Sequence, residues 1–453
     1  MISLDTIVAI ASPAGRGAVG IIRLSGAQVP RVAREILGFV PQPRRAHLAN
    51  FLDAEGNALD RGLALYFPAP SSFTGEHVLE LQGHGGAVVL DLVLERLLRL
   101  GCRSARAGEF SERAFWNGKM DIAQAEAVAD LIDAGTAAAA KAAVRSMQGE
   151  FSARIGVLKS LLTDLRAHVE AAIDFPDEEI DFLATPAITS RLAGVFESFD
   201  SIMQAARQGA LLRDGLTVVI AGKPNAGKSS LLNRLVGDEI AIVTAAPGTT
   251  RDLLRQHVEL DGLPVQFVDT AGMRRATDAA EEEGIRRAQS AMRQADHILY
   301  VVDAALADSA SLPASGEAGM PADLPREVPM TLIFNKIDLT GAEAHIAREP
   351  PTRIFLSART GAGIDELRAH LKAAAGYRDS HSGALAARRR HLDALERALA
   401  LTKSAADALH QARAFELFAE DLKLAQRALG EITGEVTSED LLGAIFGSFC
   451  IGK

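Results

Sequence analysis

Leu216-Thr217-Val218-Val219-Ile220-Ala221 runs straight into Gly222-Lys223-Pro224-Asn225-Ala226-Gly227-Lys228-Ser229, and a helix-forming segment, 230–235, follows. A short continuous apolar run bounded by glycine is the mark of a strand buried on both faces of a parallel sheet. Strand, glycine-rich loop ending in Lys-Ser, then helix is the order a phosphate-binding loop requires. The glycines let successive backbone N–H groups converge on phosphate oxygens. Lys228 brings a positive charge to the β and γ phosphates, and the Ser229 hydroxyl suits Mg²⁺.

Further apolar runs at 265–268, 298–302 and 331–334 alternate with helical stretches, the pattern of βα units in a doubly wound sheet. Asn335-Lys336-Ile337-Asp338 follows the last of them. Guanine presents two donors, N1–H and the 2-amino group, to a carboxylate such as Asp338, whereas adenine lacks the pair and would leave the charge unsatisfied. GTP is therefore expected over ATP. Phe267-Val268-Asp269-Thr270-Ala271-Gly272 ends a strand in an Asp that can reach Mg²⁺ through water and a Gly whose N–H can meet a γ-phosphate. Upstream, Gly248-Thr249-Thr250-Arg251-Asp252 is turn-rich, and Thr250 is placed to complete the Mg²⁺ shell. Ser357-Ala358-Arg359, after the strand-like 354–356, adds backbone contacts to the guanine ring. The stretch 304–329, rich in Ala, Ser, Gly and Pro, reads as an exposed loop.

The chain has 453 residues, which suggests about three domains. Hydrophobic residues make up 48% and charged residues 23%, so a folded chain is expected rather than a disordered or fibrous one. A net charge of −10 argues against a whole surface devoted to nucleic acid. Two cysteines, Cys102 and Cys450, cannot build a disulfide framework, and no His-Glu-x-x-His spacing offers a zinc site. The start lacks a basic and apolar leader, and no apolar run reaches the roughly 18 residues of a membrane span, so a cytoplasmic protein with no membrane contact is expected. Strand-like runs at 7–11, 19–24, 63–67 and 78–82, punctuated by Gly and Pro, predict an α+β domain over 1–118. Segment 119–214 is helical by periodicity, 215–376 is the α/β domain, and 377–453 is helical again. The expected fold class is thus α/β plus α and α+β, with the α/β domain inserted into a helical one. Arg388-Arg389-Arg390-His391 opens the last helical segment, either touching phosphate or forming a solvated face.

The ordered nucleotide set resembles the TrmE-Era-EngA type of translation-factor-like GTPases, and its particulars resemble the MnmE (TrmE) family of tRNA-modifying GTPases. The shared features span the chain. They include Gly15-Arg16-Gly17-Ala18-Val19-Gly20, Phe73-Thr74-Gly75-Glu76, Gln82-Gly83-His84-Gly85-Gly86, Gly108-Glu109-Phe110-Ser111-Glu112-Arg113-Ala114-Phe115, Ile173-Asp174-Phe175-Pro176 and Cys450-Ile451-Gly452-Lys453. The resemblance implies an N-terminal folate-binding domain that makes a homodimer and a helical domain carrying a P-loop GTPase domain. It also implies a flavin-dependent partner of the MnmG (GidA) type that carries FAD and joins the dimer in a heterotetramer. The reaction implied is addition of a carboxymethylaminomethyl or aminomethyl group to carbon 5 of the wobble uridine of certain tRNAs.

Most GTPases of this fold follow Asp-Thr-Ala-Gly with a glutamine that orients water, but Met273 stands here. By resemblance Glu281 takes over, although Asp278 and Glu281 also fit a helix capping box. The family replaces the arginine finger with K⁺, which the resemblance assigns to Asn225, Thr244, Ala246 and Thr249; Ala245-Ala246-Pro247 departs from the family's Asp-Ile-Ala. The nucleotide contacts implied are Asn225-Ala226-Gly227-Lys228-Ser229-Ser230, Thr244-Ala245-Ala246-Pro247-Gly248-Thr249-Thr250, Asp269-Thr270-Ala271-Gly272, Asn335, Lys336, Asp338 and Ser357-Ala358-Arg359. Lys228 joins Glu281 as catalytic, and Ser229 and Thr250 hold Mg²⁺. A 5-formyltetrahydrofolate or related folate is assigned to Arg23, Glu80, Lys119 and Lys453. Cys450 lies near the modification site in the family, or is a small residue packed beside Phe449. Two other functions fit the same motifs: a GTP switch in ribosome assembly, and a folate-dependent one-carbon transferase regulated by GTP.

Overall fold

The structure is a computed structural model, and it describes residues 5–174, 186–237, 255–269, 286, 289–306, 325, 327–378, 383–412, 414–436 and 439–452. The chain folds as two compact units. One comprises Met1–Ala129, Met147–Leu192 and Glu396–Lys453, the other Asp130–Ser146 and Ala193–Leu395.

The first unit holds a six-stranded sheet of β1 (Ile7–Ile10), β2 (Gly17–Ser25), β3 (His47–Leu52), β4 (Ala58–Phe67), β5 (Val78–Gly85) and β6 (Arg103–Ser104), in the order β3-β4-β5-β2-β1-β6. All pairs are antiparallel except β1 with β6. Alternate residues point to opposite faces. Ile22 and Leu24 of β2 therefore enter the core with Leu79 and Leu81 of β5, beneath helices α1 (Val29–Leu37) and α2 (Ala87–Arg99). Arg23 and Glu80 fall on the other face as direct cross-strand neighbours. Two short helices follow, α3 (Glu109–Trp116) and α4 (Ile122–Asp133); the chain then gives α5 (Ala137–Met147) to the second unit and returns with the long α6 (Glu150–Asp174). Leu158, Leu162, Leu165 and Val169 recur at helical spacing on α6, and all are fully buried.

The second unit is a seven-stranded sheet assembled after α7 (Pro186–Asp214). Its strands are β7 (Leu216–Gly222), β8 (Arg255–Leu260), β9 (Leu263–Asp269), β10 (His297–Asp303), β11 (Met330–Asn335), β12 (His345–Ala347) and β13 (Arg353–Phe355), in the order β12-β13-β11-β10-β7-β9-β8. The five inner strands are parallel, and β8 and β12 close the edges antiparallel. Val218 and Ile220 pack on one face with α8 (Lys228–Gly237) and α9 (Ile364–Ala374), while Val219 and Ala221 pack on the other. Burial on both faces is why β7 reads as an unbroken apolar run.

Helices α10 (Arg389–Ala412), α11 (Phe415–Thr433) and α12 (Glu439–Gly447) complete the chain. Phe418, Leu422, Ala425 and Leu429 form the buried stripe of α11, which packs along α6 within the first unit. Gly108 takes φ 65° at the N-cap of α3, and a Cβ there would collide with the Phe446 carbonyl of α12, so both the torsion and the space demand glycine. Within the basic run 388–391, Arg389 is exposed, whereas Arg388 and His391 make internal contacts. Arg388 joins Arg213 on the Asp130 carboxylate at 2.8 and 3.0 Å, and His391 is buried with its Nδ1 on the Arg388 N–H.

Candidate functional site

In an open parallel sheet the ligand crevice lies beyond the carboxyl ends of the strands, where the strand order reverses. Here β7 sits between β10 and β9. Its last residue, Gly222, shares that edge with Asp269 of β9, Asp303 of β10 and Asn335 of β11.

The phosphate loop is shaped by left-handed torsions at Gly222 (φ 145°), Asn225 (φ 63°) and Gly227 (φ 95°). Glycine has no steric penalty there, and asparagine tolerates the region better than most residues. Lys228, 7% exposed, donates its Nζ to the carbonyls of Gly222 and Lys223 at 2.9 and 2.8 Å. The buried cation is thus held by the loop it serves. Ser229 Oγ, at the first turn of α8, faces Asp269 Oδ2 at 3.4 Å. A hydroxyl and a carboxylate converging from two elements are hard oxygen donors, the set Mg²⁺ prefers. Ser230 follows on the exposed side of α8.

Asn335 is 2% exposed and fastens the crevice. Its Nδ2 donates to the Ala226 carbonyl at 3.0 Å, and its Oδ1 accepts from the N–H groups of Lys336 and Ala358 at 2.8 and 3.0 Å. Gly227 presses against the same amide so closely that a Cβ could not fit. Ser357 is fully buried and donates its hydroxyl to Asp338 Oδ1 at 2.6 Å, orienting the carboxylate; Arg359 stands 4.0 Å from the other oxygen and is mostly exposed. Lys336 adopts φ 70° and donates its Nζ to the Asn225 carbonyl at 2.7 Å and to Asp303 Oδ2 at 2.6 Å. The sequence reading passed over Asp303; the one signal was an acidic residue ending a strand, as Asp269 does. The structure brings Asn225, Ala226, Gly227, Lys228, Ser229, Asp269, Asn335, Lys336, Asp338, Ser357, Ala358 and Arg359 to one edge. Thr244, Ala245, Ala246, Pro247, Gly248, Thr249, Thr250, Thr270, Ala271, Gly272, Met273 and Glu281 lie outside the described residues.

The first unit carries a second charged corner. Arg23 pairs with Glu80 at 2.9 Å, and its guanidinium lies 5.7 Å from the Phe73 ring centroid and 5.8 Å from that of Phe110. Arg23 Nη1 also reaches the Gly452 carbonyl at 3.5 Å. The Lys119 side chain passes Gly75, where a Cβ would lie 3.3 Å from Lys119 Cε. Cys450 is exposed and Phe449 buried; the Cys450 carbonyl accepts from the Gly108 N–H at 3.4 Å, and Ile451 bridges to Ala107. Lys453 lies outside the described residues.

Behind this corner Arg113, 8% exposed, is ringed by Asp5, Glu76 and Glu109 at 2.7, 3.0 and 3.1 Å. Burial alone would raise the Glu109 carboxyl, but hydrogen bonds from Arg103, the Arg106 N–H and Arg113 outweigh it and hold the group below the usual carboxylate range. Ser25 and Thr74, both fully buried, extend the network, with Ser25 donating to Glu76 at 2.7 Å. Among the described residues no group of three or more His, Cys, Asp or Glu could hold a metal ion, and no helix is long and apolar enough to cross a membrane.

Both architectures have counterparts among known proteins. Residues 6–119 match the family described as the N-terminus of the GTP-binding protein TrmE, and residues 122–450 match the MnmE helical domain. The tRNA modification GTPase MnmE of Methylococcus capsulatus is 57% identical over 450 residues, covering 99% of each chain. That of Yersinia pestis is 55% identical, covering the whole of both chains. Among solved structures, an Era variant from Aquifex aeolicus bound to GDP.AlF4- is 26% identical, with 41% of this chain and 67% of that one covered, at a TM-score of 0.25. That last likeness is too slight to add to the assignment. With residues 222–229 and 335–338 inside a span that matches the helical-domain family, and with identity above one half along the full length, the chain belongs to the MnmE (TrmE) family of tRNA modification GTPases.

Proposed function

We propose that the protein hydrolyses GTP as a homodimer in the cytoplasm. With a flavin-dependent partner of the MnmG type, in a heterotetramer, it adds a carboxymethylaminomethyl or aminomethyl group to carbon 5 of the wobble uridine, position 34, of certain tRNAs. The observation that carries the nucleotide half is the double fastening of Asn335 to Ala226 and Ala358. It sets the phosphate loop and the carboxylate of Asp338 in one frame, so phosphate and guanine are read together.

Lys228 is the cation that meets the β and γ phosphates, and the backbone N–H groups from Asn225 to Ser229 cradle them. Ser229 and Thr250, with Asp269 acting through water, would hold Mg²⁺, which when bound neutralises charge on the phosphate oxygens. Asn225, Thr244, Ala246 and Thr249 would hold K⁺, whose fixed charge takes the place of an arginine finger. Glu281 orients the attacking water in place of the missing glutamine. In the other unit, Glu80 suits the donors of a pterin, Arg23, Lys119 and Lys453 suit a glutamate tail, and the Phe73 ring offers a flat apolar surface beside them.

The test is steady-state GTP hydrolysis in KCl against NaCl at matched ionic strength. A K⁺-specific acceleration is expected; equal, slow rates would remove K⁺ from the mechanism. Normal wobble uridines in a deletion strain would refute the tRNA half.

A further inference from the structure

Asp303 ends the central strand β10, in register with Asn335 of β11. The Ala304 N–H donates to the Asn335 carbonyl at 2.8 Å, and the Ala305 N–H donates to Asp303 Oδ1 at 3.0 Å, so backbone fixes the carboxylate from its own side. The other oxygen, Oδ2, takes Lys336 Nζ at 2.6 Å. The same ammonium donates to the carbonyl of Asn225 at 2.7 Å. Both Asn225 and Lys336 stand in the left-handed region, which residues with a Cβ seldom adopt. Two strained residues are therefore tied together by one ammonium, and that ammonium is held in turn by one carboxylate. The Asp303 side chain is 13% exposed and that of Lys336 30%, so the bond is charge-assisted and largely out of water, unlike a surface ion pair.

We propose that Asp303 is a positioning residue for the guanine nucleotide: it pins the Lys336 ammonium against the Asn225 carbonyl and so couples the base-reading segment to the phosphate loop. The inference rests on the reading of this edge as a GTP site. Asp303 reaches the nucleotide only through Lys336 and Asn225. Without its charge the ammonium keeps the Asn225 carbonyl but loses its anchor on the sheet, and the loop that must close on phosphate loses a fastening to the segment that closes on guanine. Both GDP and GTP then leave faster.

The experiment is stopped-flow dissociation of a fluorescent GDP from the full chain, in a double-mutant cycle of Asp303→Asn and Lys336→Met. Asp303→Asn keeps the shape and the acceptor for Ala305, and is expected to speed dissociation about tenfold, the factor that corresponds to losing one charge-assisted bond. Lys336→Met is expected to do at least as much, and the double variant to be no faster than Lys336→Met. An Asp303 whose charge acts by a route other than Lys336 would instead speed dissociation by the same factor in both backgrounds, which would overturn the proposal. So would a rate for Asp303→Asn within about twofold of the unsubstituted protein. Should Asp303→Asn fail to fold, Asp303→Ser, which can still accept from the Ala305 N–H, carries the same expectations. Failure of the unsubstituted protein to retain the fluorescent GDP would refute the GTP reading itself, a result distinct from either of these.

Discussion

The two charged corners are held in opposite ways. Around the phosphate loop, the fastenings to the loop itself run from side chain to backbone, Lys228 to Gly222 and Lys223, Asn335 to Ala226 and Lys336 to Asn225, with the Lys336–Asp303 pair as the side-chain anchor behind them. Around Arg23 and Arg113, side chains bind side chains: Arg23 to Glu80, and Arg113 to Asp5, Glu76 and Glu109. Backbone partners cannot be removed by mutation, so losing one side chain in the first corner leaves uncharged amides that water or a nucleotide can serve. Losing Arg113 in the second takes one counter-charge from three carboxylates at once, leaving Asp5 and Glu109 to Arg103 and Glu76 without its arginine in a poorly solvated place. The first corner is thus expected to answer substitution with lost function, the second with lost stability.

The largest effect would sharpen the functional side. Glu281→Ala is expected to slow GTP hydrolysis about 10²–10⁴-fold with GTP affinity nearly intact, as loss of a water-orienting group does. An unchanged rate in single-turnover assays would end its catalytic role. Next, Arg113→Met is expected to destabilise the first unit by about 3–5 kcal/mol in urea unfolding, with GDP binding to the second unit unaffected. A loss under about 1 kcal/mol would break the comparison, because the network would then behave as a surface one. Asp338→Asn should weaken GDP binding about 100-fold and move preference toward xanthine nucleotides, with little change in melting temperature. No shift in preference would defeat the assignment of Asp338 as base reader.

The smallest effect concerns pH and lies away from both corners. His297, 5% exposed, shares the Thr331 hydroxyl with His370, at 2.9 and 2.8 Å. Burial, and secondarily the charge of His370, push His297 down from 6.5 to about 4. As pH falls from 6.5 toward 4 the unfolded chain binds the proton and the folded one resists it, so stability is complete above that window and is lost through it. The second unit should lose about 3 kcal/mol between pH 7 and 4 from this group, and His297→Gln should flatten that slope in calorimetric scans. An unaltered slope would exclude His297 as its source.

The nucleotide corner was legible because its residues come in contiguous runs, each beginning where a buried strand stops. Val218 to Ala221 needed no partner to be read as a strand. The edge strands His47–Leu52 and Arg255–Leu260 were not read, since their polar alternation resembles loop and only pairing makes them sheet. Asp303 was missed for a related reason: a lone Asp after a strand is ordinary turn chemistry until the register sets it beside Asn335. The Arg23–Glu80 pair came from family resemblance, because residues 57 apart become neighbours only through the β2–β5 register.

The fastening of the phosphate loop also bears on the order in which the chain becomes competent as it is made. Ala226 and the amide that holds its carbonyl are 109 residues apart. At synthesis rates of about 5–20 residues per second, that separation is a delay of about 5–20 seconds in which Gly222 to Ser229 is outside the ribosome and its clasp is not. A nascent chain therefore has no finished nucleotide pocket until β11 pairs with β10. Nucleotide capture thus marks completion of this unit rather than its beginning, and a chain cut short before Asn335 carries the phosphate-loop sequence without the grip.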